Sequence, residues 1–141
     1  MKRKVLLQIY SEQRYEGDEP QVSELTTVGT LEELEGAIRL SYEETELTGL
    51  QGTTTAFTLY PDKIVLQREG SLRSEMIFDI QKENRSLYDM GMGALMLTVR
   101  TMSLVQAMSA QGGFLAVDYD LIVEDSYMGQ VSYRIQVTPT E

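Results

Sequence analysis

Apolar and polar residues alternate one for one along most of this chain. Val131, Tyr133, Ile135 and Val137 fall on one side of a run, and Ser132, Arg134, Gln136 and Thr138 on the other. A period of two predicts a strand with one wet face. The run before it sets Leu115, Val117, Tyr119, Leu121 and Val123 against Asp118, Asp120 and Glu124. Asp125 and Ser126 read as the reversal between the two, so this end of the chain predicts a long antiparallel hairpin. Similar runs cover about 4–12, 21–31, 36–44, 53–60, 63–69, 73–80, 85–90 and 93–101. They are punctuated by turn residues such as Pro20, Gly52, Pro61, Gly70, Asn84, Gly91 and Gly112. No helical stretch separates them, which excludes a parallel βαβ layout and leaves an antiparallel meander. Residues 101–111 read two ways: Met102, Val105 and Met108 fit a helical stripe, and the same positions fit a further strand or a short irregular turn, the preferred reading.

About ten strands in 141 residues must close or stack, because an open sheet of that size leaves long edges exposed. The expected fold is therefore all-β: an antiparallel meander closed into a lipocalin-like β-barrel of about 8 to 10 strands, in one domain spanning 1–141. A two-sheet sandwich is the alternative. The composition agrees with strands, since Thr, Val and Ile outnumber Ala by 30 to 6.

Charge and two absent residue types narrow the chemistry. The formal charge of −10 is spread over both halves, so neither nucleic acid nor an anionic membrane is an expected partner. The chain has no Cys and no His. That excludes thiolate nucleophiles, disulfides, Cys-type metal sites, Ser-His relays and imidazole switches. Only carboxylate, Lys, Tyr, Ser or Thr chemistry is left, so an enzyme is not the expected class, and neither a cofactor nor a metal site is expected. The apolar run from Val5 to Tyr10 is short and interrupted by Gln8, which does not fit a signal peptide, and no 18 apolar residues run together. A cytoplasmic protein is the expectation.

Several segments carry a likeness: Ser41-Tyr42-Glu43-Glu44 followed by 47–55, then Pro61-Asp62-Lys63, Met76-Ile77-Phe78, Tyr88-Asp89, Gly93-Ala94-Leu95 with Arg100-Thr101, and Asp118-Tyr119-Asp120-Leu121. In these the chain resembles the YwiB-like family of small bacterial proteins, over about residues 4–137. The resemblance implies a calycin or lipocalin-like barrel and no particular activity.

The candidate site residues come from the alternation. Glu44 continues the row Ile38, Leu40 and Tyr42, and Arg68 continues Ile64 and Leu66, so both charges are expected to point into the barrel or sit at its mouth. Inward charges would need each other, a Tyr hydroxyl, water or the polar end of a ligand. Tyr42, Glu44, Arg68, Tyr88 and Arg100 are therefore the candidate ligand-binding residues, with Tyr88, Arg100 and Arg68 as receivers of a carboxylate head group. Leu47 and Leu50 in the loop 45–52 are candidate lid residues, or a plug for the barrel end. Met76, Met90, Met92 and Met96 would suit an adaptable pocket or ordinary core filling. Asp118 and Asp120 share a face opposite Tyr119 and read as a solvated pair.

Two functions follow. The first is a barrel that binds a small amphipathic or hydrophobic ligand in its interior. The second is a non-enzymatic interaction or structural barrel with a filled core, in which the apolar stretch from Leu95 to Val99 meets a partner or a second copy as a homodimer.

Overall fold

The structure is a computed structural model describing residues 2–89 and 91–140. Ten strands follow in chain order: β1 (Lys2–Tyr15), β2 (Gln21–Leu34), β3 (Ala37–Glu43), β4 (Thr54–Leu59), β5 (Ile64–Glu69), β6 (Arg73–Phe78), β7 (Asn84–Asp89), β8 (Ala94–Ser109), β9 (Gly112–Val123) and β10 (Ser126–Pro139). Each pairs antiparallel with its neighbours in sequence, and β1 pairs with β10 to close the barrel. The all-β meander barrel expected from the alternation is what forms, at ten strands, and the sandwich is excluded.

The segment 101–111 belongs to a strand. β9 offers a ladder partner along the whole of β8, with a register shift between Thr101 and Ser103. That bulge places Met102 outside the regular pairing and reverses the phase, so Thr101 is buried while Met102 and Val105 are exposed. The β9–β10 reversal falls one residue earlier than expected. Glu124 and Asp125 both take positive φ, 49° and 67°, the signature of a two-residue hairpin turn matching the strand twist. Ile80, which shares the phase of Met76 and Phe78, lies beyond the end of β6 and is exposed.

The loops after β1, β3, β5, β7 and β9 gather at one end of the barrel, called the upper end here. The two halves are built differently. In the lower half Leu7, Leu40, Phe57, Leu66, Phe78 and Leu115 interlock almost without exposure. Gly29 belongs to this packing, because a Cβ there would lie 2.5 Å from the Ser41 carbonyl oxygen and 2.8 Å from a Leu7 methyl. Only glycine lets β2 lie between β1 and β3 at that point. Above it the wall loosens between β2 and β3, which pair only from Thr30 to Leu34, whereas β6 and β7 pair only at the upper end, at Arg73 and Ser74.

Candidate functional site

One row of residues crosses five strands at the upper end. Tyr42 lies opposite Thr55, Thr55 opposite Arg68, Arg68 opposite Ser74, and Ser74 opposite Tyr88. Directly opposite residues in antiparallel strands share a face. Since Leu40, Phe57, Leu66 and Met76, two positions away on β3 to β6, are buried core, this row also faces inward. Three of the expected ligand residues, Tyr42, Arg68 and Tyr88, are thus brought together by register.

The two inward charges do not pair with each other. Glu44 is buried, and its carboxylate accepts hydrogen bonds from the hydroxyls of Thr55, at 2.5 Å, and Thr48, at 2.9 Å. Arg68 donates from Nη2 to the Tyr133 hydroxyl at 3.2 Å. No ion pair among the described residues includes either group. Two polar atoms at this end are buried without a hydrogen-bond partner among the described residues, Arg68 Nε and Ser74 Oγ.

Aromatic rings gather around Tyr133, the partner of the guanidinium. Tyr119 stacks near Tyr133 with centroids 6.5 Å apart, and Phe57 meets Tyr133 edge-on at 6.3 Å. Burial, and after it the Glu44 carboxylate, push the Tyr42 phenol well above its ordinary range, so it stays neutral. Burial, followed by Tyr133, raises Tyr119 likewise. For Arg68, burial works against the charge, but Tyr133 and the other phenols outweigh it, and the net direction is upward. The site therefore holds a cation, Arg68, near two phenols, Tyr42 and Tyr119, that stay neutral.

Arg100 is not part of it. Leu97 and Val99 take the inward phase of β8, which turns Arg100 outward, where its side chain is 52% exposed and lies 3.6 Å from Glu83 and 3.8 Å from Asp120. The same phase removes the stretch from Leu95 to Val99 as an outer apolar patch. The lid does not form as expected either: Leu47 is 82% exposed, Leu50 is half-buried, and the buried leucine of the upper-end turns is Leu72, between β5 and β6. The methionines do not gather, since Met76 is in the core and Met92 is exposed, while Met90 lies outside the described residues.

Sequence reasoning missed Ser74, Thr55 and Tyr133. The signal was present: Ser74 precedes Met76 and Phe78 in their own phase, and Tyr133 belongs to the inward row of β10. On the outer face, Asp118 accepts hydrogen bonds from Ser103 and Ser132, both at 2.5 Å, beside Arg134 at 3.7 Å. Burial opposes the charge on Asp118, yet the two serines and Arg134 hold its pKa below the ordinary value. A cleft of about 660 Å³ crosses the outer face of β2, β1, β10 and β9 beside Tyr10, Glu24, Phe114 and Arg134. A second, of about 390 Å³, lies where β2 and β3 part.

Fold and site together define a ten-stranded meander barrel with one inward arginine at a polar end. Residues 7–135 match the family described as Domain of unknown function (DUF1934), and the chain belongs to that family. The crystal structure of the ywiB protein from Bacillus subtilis superposes with a TM-score of 0.83 at 19% identity, covering 96% of this chain and 92% of that one. That similarity confirms the barrel and the expected YwiB likeness. No curated protein sequence matches the chain.

Proposed function

We propose that this chain is a lipocalin-like binding barrel of the cytoplasm that receives a small amphipathic molecule at its upper end. The observation that carries the reading is Arg68, a cation turned inward with an unused donor and no carboxylate partner among the described residues. An amphipathic shape suits the surroundings. Half-buried Tyr15, Leu25, Leu121, Val123 and Tyr133 pack against the core and offer apolar surface beside the polar row. The lower half is filled by side chains, so the ligand would occupy the mouth rather than the depth of the barrel. A polar outer face, with Gln8, Glu12, Asp118, Arg134 and Gln136 opposite apolar inner rows, supports a barrel standing in water, the inverse of a membrane barrel.

Native mass spectrometry of freshly purified protein tests this. The expected result is an added mass that Arg68→Met reduces. A bare chain whose melting temperature is unmoved by octanol, decanol and decanoate alike overturns the reading.

A second reading has its own observation. The clefts that exceed the usual lower size for a ligand site, about 300 Å³, include the two on the outer surface described above. The larger carries both signs of charge, Glu24 and Arg134, as a self-complementary homodimer contact requires. Light scattering over a range of concentrations that finds only monomer removes it.

A further inference from the structure

We infer that the ligand's polar end is a single carboxylate, seated between Arg68 Nε and Ser74 Oγ; this rests on the binding reading above. The two atoms belong to residues directly opposite each other on β5 and β6, both facing the interior. Ser74 is 5% exposed and its hydroxyl has no partner among the described residues; the same holds for Arg68 Nε. Buried donors are normally satisfied, and two orphans on directly opposite residues are a strong exception. One acceptor placed between them would satisfy both.

The chemistry of the acceptor follows from the donors. Arginine presents Nε–H and an Nη–H as a planar fork that matches the two oxygens of a carboxylate. Half of that fork is already held: Nη2 donates to Tyr133, which fixes the plane of the guanidinium and leaves Nε free. The Ser74 hydroxyl stands in for the held half of the fork as the second free donor. Charge sets the limit at one negative unit. The inward row from Tyr42 to Tyr88 contains no second basic residue, and the Glu44 carboxylate lies two residues beyond Tyr42. A phosphate dianion would meet one cation and one anion, whereas a carboxylate meets its match. Tyr42, kept neutral, repels neither.

Calorimetric titration with decanoate, decanol and acetate at neutral pH separates the outcomes. Decanoate is expected to bind on the order of tenfold or more tightly than decanol. Ser74→Ala is expected to weaken decanoate several-fold and leave decanol unchanged. Arg68→Met should abolish the preference for the acid, and Arg68→Lys should not restore it, because an ammonium does not reproduce the fixed Nε–H beside the Nη2 held by Tyr133. In carboxyl-labelled decanoate the bound carbon should titrate below the free acid, which a purely structural role for Arg68 would not produce. Circular dichroism of each variant shows whether it is folded, and Ser74→Ala removes only an unpartnered hydroxyl, so it keeps the test open if Arg68→Met is not. Equal binding of decanoate and decanol overturns the carboxylate seat while the amphiphile reading stands. Binding of neither overturns both. Acetate binding as tightly as decanoate retains the seat and overturns the amphiphile.

Discussion

The lower and upper halves of this barrel are made of the same ten strands, yet they solve the interior differently. Below the row of Tyr42 and Arg68, most inward positions are Leu, Ile, Val, Phe or Met closed off by their neighbours. In the row and above it the same alternation delivers Thr55, Arg68, Ser74, Tyr88 and Glu44, and the wall opens where β2 leaves β3. The lower half has one way to be satisfied, by packing. The upper half satisfies Glu44 with hydroxyls but leaves two donors of Arg68 and Ser74 unanswered. Natural chains violate local consistency at functional places more readily than elsewhere, so the contrast itself points to the upper end.

The largest effect should come from the packed half. Phe57→Ala removes a ring with almost no exposure, and the neighbours can collapse only partly into the space. A loss of about 3 to 5 kcal/mol is expected from urea unfolding. Leu121→Ala, at a half-buried position of the upper half, should lose under about 2 kcal/mol, because less surface leaves water there. Equal losses would erase the distinction between the halves.

Glu44 comes next. Glu44→Gln takes away the charge that two threonine hydroxyls serve, and a loss of about 1 to 3 kcal/mol should follow in the same assay. Glu44 and Arg68 have separate partners, so the double variant Glu44→Gln with Arg68→Met should equal the sum of the single effects within about 0.5 kcal/mol. A larger coupling would mean that the two charges form one pair in solution.

The fold was legible because period two states both the element and the inward face. Val117, Tyr119, Ile135 and Arg68 all stand on the side that alternation assigned them. Legibility failed where a strand changes phase or ends. Arg100 was grouped with Arg68 as a head-group receiver, but parity on β8 turns it outward beside Asp120. The bulge at Met102 is not written in the residue types. Leu47 and Leu50 failed for another reason: a loop has no periodicity, so nothing local says which leucine turns inward. Ser74 and Thr55 were overlooked because small hydroxyl residues carry no charge to attract notice, although their parity was readable. What joins them to Arg68 is cross-strand register, which depends on turn geometry rather than on any single run.

Acid sensitivity should come from Asp118 on the outer face. Asp118 has its folded pKa lowered, so the unfolded chain binds more protons near the ordinary carboxylate range. Its stabilisation is present above about pH 4 and is lost as pH falls through the folded value. Because the side chain is 36% exposed, solvent screening limits the contribution to about 1 kcal/mol or less. Asp118→Asn should lower the urea midpoint at neutral pH and leave the wild type and variant alike at about pH 2. A difference that persists at low pH would assign the effect to packing.

The smallest effect, and the one that separates the halves most sharply, belongs to Ser74. In a packed interior, replacing a buried polar side chain usually breaks a hydrogen bond and destabilises. Here the hydroxyl has no partner to lose, and alanine removes its desolvation penalty while keeping the Cβ against β5 and β7. Ser74→Ala should therefore be as stable as the wild type, or more stable by up to about 1 kcal/mol. Thr55→Val, one strand beyond Arg68 in the same row, provides the contrast, because its hydroxyl serves Glu44 and its loss strands part of a buried carboxylate. Differential scanning calorimetry of the pair should show opposite signs. Two losses of equal size would mean that Ser74 is already hydrogen-bonded in solution, by an ordered water held against Arg68 Nε, and that the upper half is as fully satisfied as the lower.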